Sequence, residues 1–244
     1  VTVFDYGTTR GGDQYFVMEL LDGITLQDAV TKFGPMPPER VISLLEQICH
    51  SLAEAHDANL IHRDIKPANI FICQKGTEFD FIKVLDFGLV KPDLDTSSIL
   101  TLRSEFLGTP AYIPPEVAKG KEFDQRSDIY SLGCVAYFLL SNELVFSADN
   151  PIDMILKHAD EKPVHIADRS SQPIPQGLGD LIMCCLEKDP SLRPQSCIEI
   201  LDILERIKTV NNWTRMAAQA WWKHNQLLDK PGGGTDNQAR NISR

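Results

Sequence analysis

The chain has 244 residues, of which 43% are apolar and 24% carry a charged side chain. This length and composition suit one large or two modest globular domains, and they exclude general disorder, a collagen repeat and a coiled coil. With 24 basic and 34 acidic residues the formal net charge is −10, which argues against bulk binding to nucleic acid or to an anionic membrane, because both favour a positive surface.

The first predicted elements are two β-strands joined by a glycine-containing turn. Val1–Tyr6 and Gln14–Leu20 are rich in β-branched and aromatic residues, a pattern typical of a hairpin. A lone hairpin is only marginally stable in water. We therefore expect that further elements, which would cover this hairpin, precede it in a longer gene product.

Helices are predicted over most of the remaining chain, with one further strand pair. Thr25 is expected to cap a short helix that ends near Lys32, and apolar residues at helical spacing predict a long helix over Glu39–Asp57. Two short strands, Ile70–Cys73 and Phe79–Leu85, follow it. Four more helices are predicted over Asp128–Ser141, which is nearly all apolar and so expected to be buried, and over Ile152–Ala159, Leu178–Leu186 and Gln195–Lys208.

The carboxyl-terminal part reads as an appended helix over Asn211–Asp229, followed by a polar, glycine-containing tail. Such a helix either covers the globular part, which the pattern favours, or docks a regulator or a second copy of the chain through residues 211–228. One helical stripe is predicted to carry Trp213, Ala217, Ala220, Trp221 and Leu228.

The chain contains no apolar run of the roughly 18 to 20 residues that a membrane span needs. No basic segment followed by an apolar one opens the sequence, so no signal peptide is predicted. Six cysteines lie in apolar stretches without paired CxxC spacing, which favours reduced, buried thiols over zinc ligands or disulfides.

Three motifs together carry a family resemblance. Ile61–Asn69, with the sequence IHRDIKPAN, resembles the catalytic loop of protein kinases, and Asp86–Gly88 resembles their metal-binding motif. The segment Gly108–Glu116 is similar to the segment of the same family that docks the peptide substrate. Each motif alone could be chance, but their order and spacing are specific. The resemblance runs from Val1 to about Lys208 and is strongest to bacterial serine/threonine kinases, some of which continue into a membrane span or a sensor domain.

The resemblance implies an α+β, protein-kinase-like fold with a mostly helical large lobe and a remnant of the small β lobe. Residues 1–20 would be that remnant, a hairpin leading to the hinge, and residues 21–208 the large lobe. Residues 209–229 would form the appended helix and residues 230–244 a disordered tail or linker.

The matched motifs imply four catalytic residues, Asp64, Lys66, Asn69 and Thr109, and they imply Asp86 as a metal ligand beside Asn69. Asp64 would accept the proton of the substrate hydroxyl, and Lys66 would contact the transferring phosphoryl group. If the two short strands pair antiparallel, Asn69 and Asp86 lie at the same end of their hairpin. Both offer oxygen ligands for Mg²⁺ bound to ATP, with Mn²⁺ as the alternative metal. Thr109 is expected to tie Asp64 to Lys66.

A pocket for the adenine of ATP is implied by similarity to the family's hinge. Met18 would sit at the edge of the pocket, and backbone groups of Glu19 and Leu21 would bind the edge of the purine. Phe71 and Leu85 would form its lower face.

Structural and regulatory residues are implied in the same way. Asp128 resembles the buried carboxylate that holds the catalytic-loop backbone, and Arg193 resembles the partner of Glu116 in a buried ion pair. Because an arginine precedes Asp64, the resemblance also implies control by phosphorylation of the segment after Asp86. Thr101 is the first candidate phosphosite there and Ser104 the second.

Three family elements are missing from the sequence: the glycine-rich loop, the lysine that contacts the α/β-phosphates and the helix glutamate that pairs with that lysine. All belong upstream of Val1, so we expect the chain to be a fragment that binds ATP poorly and is inactive by itself. The predicted function is a protein serine/threonine kinase on the cytosolic side, whose full-length form is either free or membrane-anchored. The alternative is a pseudokinase that acts as a protein-docking module. The enzyme is favoured because the base and both metal ligands are present, together with Lys66: the four residues are Asp64, Lys66, Asn69 and Asp86.

Overall fold

Five short strands form two separate antiparallel sheets. This computed structural model describes residues 2–9, 11–85, 110–207, 212–225 and 227. The first sheet is the predicted hairpin, which pairs β1 (Val3–Thr8) with β2 (Gln14–Met18). The second sheet consists of β3 (Gly23–Thr25), β4 (Ile70–Lys75) and β5 (Glu78–Val84) in that spatial order. Its β4 and β5 are the two strands predicted after the long helix.

Strand β3 is not among the elements that the sequence predicts. The three residues are too few to show a periodic pattern, and they become a strand only by pairing with β4 in the register Gly23 to Cys73. A side chain at Gly23 would collide with the carbonyl oxygen of Ile72. This close approach explains the glycine, and it cannot be read from the local sequence.

Nine helices of four or more residues occur within the described ranges, and the predicted ones are among them. Two four-residue helices escaped prediction because they are shorter than the repeat that a pattern needs. In chain order the helices are α1 (Leu26–Phe33), α2 (Pro38–Asp57), α3 (Pro115–Ala118), α4 (Gln125–Ser141), α5 (Pro151–Asp160), α6 (Ile166–Arg169), α7 (Gln176–Cys185), α8 (Cys197–Ile207) and α9 (Arg215–His224). Single 3-10 turns lie at Pro67–Asn69, Pro110–Tyr112 and Pro190–Leu192.

Helix α4 is the centre of the core. Every residue from Ser127 to Leu140 is buried, as expected for a helix that is apolar on all sides. Asp124 caps its first turn, since its carboxylate accepts the backbone N–H of Arg126 at 2.7 Å. The helix ends at Asn142, whose φ of 59° is left-handed. Helices α1, α2, α6 and α7 pack against α4, and α2 also packs along α8.

The β1–β2 hairpin contrasts with this core. All but one of its strand residues are exposed, including large apolar side chains such as Phe4 (67% exposed) and Tyr6 (75% exposed).

None of the described helices has the length and apolar composition of a membrane span.

The last helix, α9, packs against β5 and, through Trp221, against Phe33 of α1. It is shorter than the predicted Asn211–Asp229, and its fully buried residues are Ala218 and Trp222. Of the predicted stripe, Trp213, Ala217 and Trp221 are half-buried, whereas Ala220 is exposed. Leu228 lies outside the described residues.

Candidate functional site

The loop between α2 and β4 is held from below by one buried carboxylate. Asp128, which is 1% exposed on the central helix, accepts the backbone N–H groups of His62 and Arg63 at 2.8 and 2.9 Å. Arg63 has a φ of 71°, a left-handed conformation that is unfavourable for a residue with a side chain. The two charge-assisted hydrogen bonds stabilise this turn and thereby set the direction of the next residue, Asp64.

His56 completes the support beneath the loop, and sequence reasoning had assigned it no role. Its Nε2 lies 2.8 Å from Asp128 Oδ2, and its Nδ1 lies 3.9 Å from the thiol of Cys197. Burial acts to lower the pKa of His56, but the hydrogen bonds to Asp128 and Cys197 outweigh it and raise this pKa to about 9. The imidazolium therefore neutralises the carboxylate that holds the loop.

Asp64, Lys66 and Asn69 come together in the loop just before β4, which begins at Ile70. Lys66 Nζ lies 2.7 Å from Asp64 Oδ2, and Asn69 Nδ2 donates to the same oxygen at 2.8 Å. Asn69 also donates to the backbone carbonyl of Asp64 at 2.9 Å. Both side-chain contacts use Oδ2, and the Asp64 side chain is 55% exposed, so a carboxylate with a defined orientation faces the solvent.

The end of β5 is joined to the same loop. Leu85 N–H donates to the carbonyl oxygen of Asn69 at 2.8 Å, and its carbonyl oxygen lies 2.7 Å from His62 Nε2. Leu85 therefore lies directly beside Asn69, as the antiparallel pairing of β4 with β5 predicts. Asp86 itself lies outside the described residues, as do Thr109, Thr101 and Ser104.

The donor set suits a hard divalent cation in type but is incomplete in the described part of the chain. With its amide nitrogen engaged by Asp64, Asn69 can offer Oδ1, and oxygen ligands are those that Mg²⁺ prefers. Within the described ranges no cluster of three His, Cys, Asp or Glu side chains could hold a metal. Among the catalytic-loop residues that the structure describes, Asn69 Oδ1 is thus an available oxygen ligand.

The predicted hinge residues lie where β2 leads into β3. The N–H of Glu19 donates to the Thr2 carbonyl at 3.0 Å, so its carbonyl oxygen is the backbone group left for a ligand. The Glu19 carboxylate pairs with Lys83 of β5 at 2.9 Å, and this hydrogen bond holds the pKa of Glu19 below its ordinary value. Through Lys83, which is opposite Phe71 in the sheet, the hinge is tied to β5.

Below the site, Glu116 and Arg193 form a buried ion pair. Arg193 Nη2 lies 2.7 Å from Glu116 Oε2 and Nη1 lies 2.9 Å from Oε1, and both side chains are less than a tenth exposed. Burial acts to raise the pKa of Glu116, but hydrogen bonds from Arg193 and Ser127 outweigh it and hold this pKa below its ordinary value. The pair joins the start of α3 to the segment before α8.

The chain is similar in sequence to known proteins of one family. A family model described as "Protein kinase domain" matches residues 2–206. The chain is 38% identical over 210 residues to the serine/threonine-protein kinase PknB of Mycolicibacterium smegmatis, covering 85% of this chain and 33% of that protein. It is 40% identical over 214 residues to a probable serine/threonine-protein kinase of Clostridium perfringens, covering 88% of this chain and 30% of that one.

Solved structures show the same fold. The crystal structure of Rad53 in complex with AMP-PNP superposes with a TM-score of 0.66 at 26% identity, covering 82% of this chain and 48% of that one. The PknI kinase domain of Mycobacterium tuberculosis superposes with a TM-score of 0.62 at 22% identity, covering 84% and 69%. The chain spans about a third of the length of the curated relatives that it matches first.

Proposed function

Since this chain belongs to the protein kinase family, we propose that it is the large lobe, with the hinge and two small-lobe strands, of a serine/threonine kinase that transfers the γ-phosphate of ATP to protein hydroxyls. The observation that carries the proposal is the triad of Asp64, Lys66 and Asn69, which share one carboxylate oxygen at 2.7 and 2.8 Å. Its relatives in several bacteria are named as serine/threonine kinases.

Asp64 is proposed to position the incoming hydroxyl and take its proton. Lys66 and Asn69 both contact Oδ2, so we assign Oδ1 to the serine or threonine hydroxyl. The two contacts keep the carboxylate from rotating, which orients the nucleophile in line with the phosphorus atom. Magnesium-bound ATP supplies the phosphoryl group and the cation that screens its charge.

Lys66 and Asn69 have a second task once ATP is present. The ammonium group of Lys66 can contact the negative oxygens of the transferring group, and Asn69 Oδ1 can bind the metal together with Asp86. The hinge carbonyl of Glu19, the backbone of Leu21 and the apolar faces of Phe71 and Leu85 are proposed to bind adenine, with Met18 at the edge. Thr109 is proposed to support the Asp64–Lys66 pair.

Regulation by phosphate is proposed for Thr101, with Ser104 as the second acceptor. A cytosolic location fits the use of ATP and the six free thiols. Mass spectrometry of the active enzyme tests the regulatory proposal, and the absence of phosphate at both positions would refute it.

The experiment that tests the function is γ-phosphate transfer to a protein substrate by the full-length gene product. Replacing the base, Asp64→Ala, is expected to lower kcat by about 10² to 10⁴-fold, because general base catalysis contributes that much. Asp57→Ala, at an exposed position at the end of α2, serves as the matched control and should retain wild-type kcat. Transfer that survives Asp64→Ala unchanged would contradict the assignment, and a wild type without transfer would favour the pseudokinase.

A further inference from the structure

The segment that contains α9 contacts the large lobe through a groove, here called the indole groove, that is made by α1, α2 and β5. Trp221 packs edge-on against Phe33 of α1, with ring centroids 5.3 Å apart, and Trp222 packs against Phe79 of β5 at 6.0 Å. Trp222 is 2% exposed. The apolar faces of two tryptophans therefore meet two phenylalanines of the lobe.

The floor of the indole groove is a buried carboxylate with four hydrogen-bond donors. Asp80 is 2% exposed, and its two oxygens accept Arg40 Nε and Nη2 at 2.8 and 2.7 Å. Each oxygen accepts one further donor, an indole N–H: Trp213 at 2.9 Å and Trp222 at 2.7 Å. The carboxylate is thus shared equally between the lobe and the carboxyl-terminal segment.

The same segment also contacts Arg40, because tryptophan rings of the segment lie over the flat guanidinium group of Arg40. The guanidinium, 0% exposed, lies 3.6 Å from the centroid of the Trp221 ring and 5.3 Å from that of Trp213. Its Nη1 atom makes no hydrogen bond to the described residues. The segment therefore supplies the aromatic contacts that accompany burial of this cation.

Helix α9 depends on this contact for its stability. Helix α9 has ten residues, too few to be stable alone in water, and only Ala218 and Trp222 are fully buried. On the opposite face Met216 is 76% exposed. Folding of the helix is consequently coupled to its binding.

We propose that the indole groove is a peptide-docking site specific for a helical segment with paired tryptophans, and that residues 212–227 are its intramolecular ligand. The specificity comes from the two indole donors that the Asp80 carboxylate accepts, because apolar contacts alone would accept many helices. The ligand binds as a unit and can leave as a unit, while the lobe keeps its core around α4.

Occupancy of the indole groove has a consequence for the candidate site. Asp80 lies near the outer end of β5, whose inner end contacts the loop through Leu85. Between the two, Gln47 of α2 accepts the N–H of Ile82 at 3.0 Å and donates to the Asp80 carbonyl at 2.9 Å. Docking thus holds the strand that leads to the proposed metal ligand.

The test cuts the chain between the lobe and residues 212–227, so that this segment can dissociate although no residue has been deleted. A protease site is inserted within residues 208–211, the chain is cleaved, and a fluorescent synthetic peptide of residues 212–227 is added. We expect the cleaved segment to stay bound to the lobe in size-exclusion chromatography and the labelled peptide to exchange with it in anisotropy measurements. Peptides with Trp213→Phe or Trp222→Phe should bind at least about tenfold more weakly, since each loses one hydrogen bond to a charged group.

The control peptide carries Met216→Ala, an exposed position on the same helix, and should bind like the wild type. Placing the variants in the peptide leaves the lobe unchanged, so a weak variant cannot be attributed to a misfolded lobe. Three results would overturn the proposal: a cleaved segment that leaves and does not rebind, tryptophan variants that bind like the wild-type peptide, or a lobe whose circular dichroism collapses on displacement of the segment.

Discussion

His158 is a buried histidine whose pKa the fold holds far below its ordinary value. It is 0% exposed, its Nδ1 lies 2.9 Å from the hydroxyl of Tyr130, and the ammonium of Lys188 sits 2.8 Å from its carbonyl oxygen. Burial is the main cause and the nearby Lys188 charge adds to it, so that the pKa of His158 falls to about 3. At His158 the unfolded chain, with a histidine pKa of about 6.5, therefore binds up to one more proton than the folded protein between these two pH values.

This difference in proton binding predicts that acid begins to destabilise the protein at a higher pH than the one at which carboxylates take up protons. Because the unfolded state binds this additional proton at His158, the contribution of His158 to the free energy of unfolding falls as pH falls from about 6.5 towards 3. Between pH 6.5 and 5 the loss due to His158 should be roughly 1.5 kcal/mol, and His158→Gln should remove it. Urea titrations at the two pH values measure the change.

His50→Gln, at an exposed position on α2, is the control for this experiment. It should show the same loss between pH 6.5 and 5 as the wild type. A His158→Gln protein whose stability fell as steeply as that of the wild type would show that another group causes the acid sensitivity.

At the scale of elements, α4 and α7 are in direct contact at Gly133. A Cβ atom there would lie 2.8 Å from Cys185 Cβ and 3.3 Å from Leu186 Cδ2, and the first distance is shorter than real Cβ contacts. Glycine in a helix interior costs about 1 kcal/mol relative to alanine. Close packing of the two helices is thus the reason for a residue that helix propensity disfavours.

Gly133→Ala is predicted to destabilise the protein although it improves helix propensity. Overpacking of a core contact costs about 1 to 3 kcal/mol, which exceeds or cancels the gain. The control is Gly177→Ala on α7, where the new methyl group would meet only the side chain of Ile207, at 3.0 Å, which can move. Thermal unfolding should give a lower Tm for Gly133→Ala than for Gly177→Ala, and equal values would contradict the prediction.

At the scale of the whole molecule, Arg193 joins segments that are far apart in sequence. Besides Glu116, its guanidinium donates to the carbonyl oxygens of Glu187 at 2.7 Å and of Arg126 at 2.8 Å, and it lies over the Tyr130 ring at 4.9 Å. One buried side chain thus connects α3, the start of α4 and the turn before α8. Its loss would leave the Glu116 carboxylate buried without its partner.

We predict that Arg193→Ala lowers the free energy of unfolding by about 3 to 5 kcal/mol, the cost of breaking a buried ion pair on one side. Arg126→Ala, which removes a partly solvent-exposed pair with Asp124, should cost about 1 kcal/mol. Denaturant titration of both variants at the same pH decides this. An Arg193→Ala protein as stable as Arg126→Ala would show that the buried pair contributes no net stability.

Helices and strands were predictable wherever periodicity or a cap is local. Thr25 accepts the N–H of Asp28 at 2.9 Å at the predicted start of α1, and β4 and β5 pair as their composition indicated. Strand β3 was missed because its existence depends on β4, which is more than 40 residues away. In the candidate site, Asp64, Lys66 and Asn69 were found because they lie within six residues of one another.

The sequence by itself determined the family, through ordered motifs that each act within a few residues of chain, and it determined which helix would be buried. Only the tertiary structure decided that His56 shares the Asp128 carboxylate and that two indoles share Asp80. Such contacts join positions 72 to 142 residues apart. A buried charge requires partners but does not specify where in the chain they lie, so packing alone chooses them.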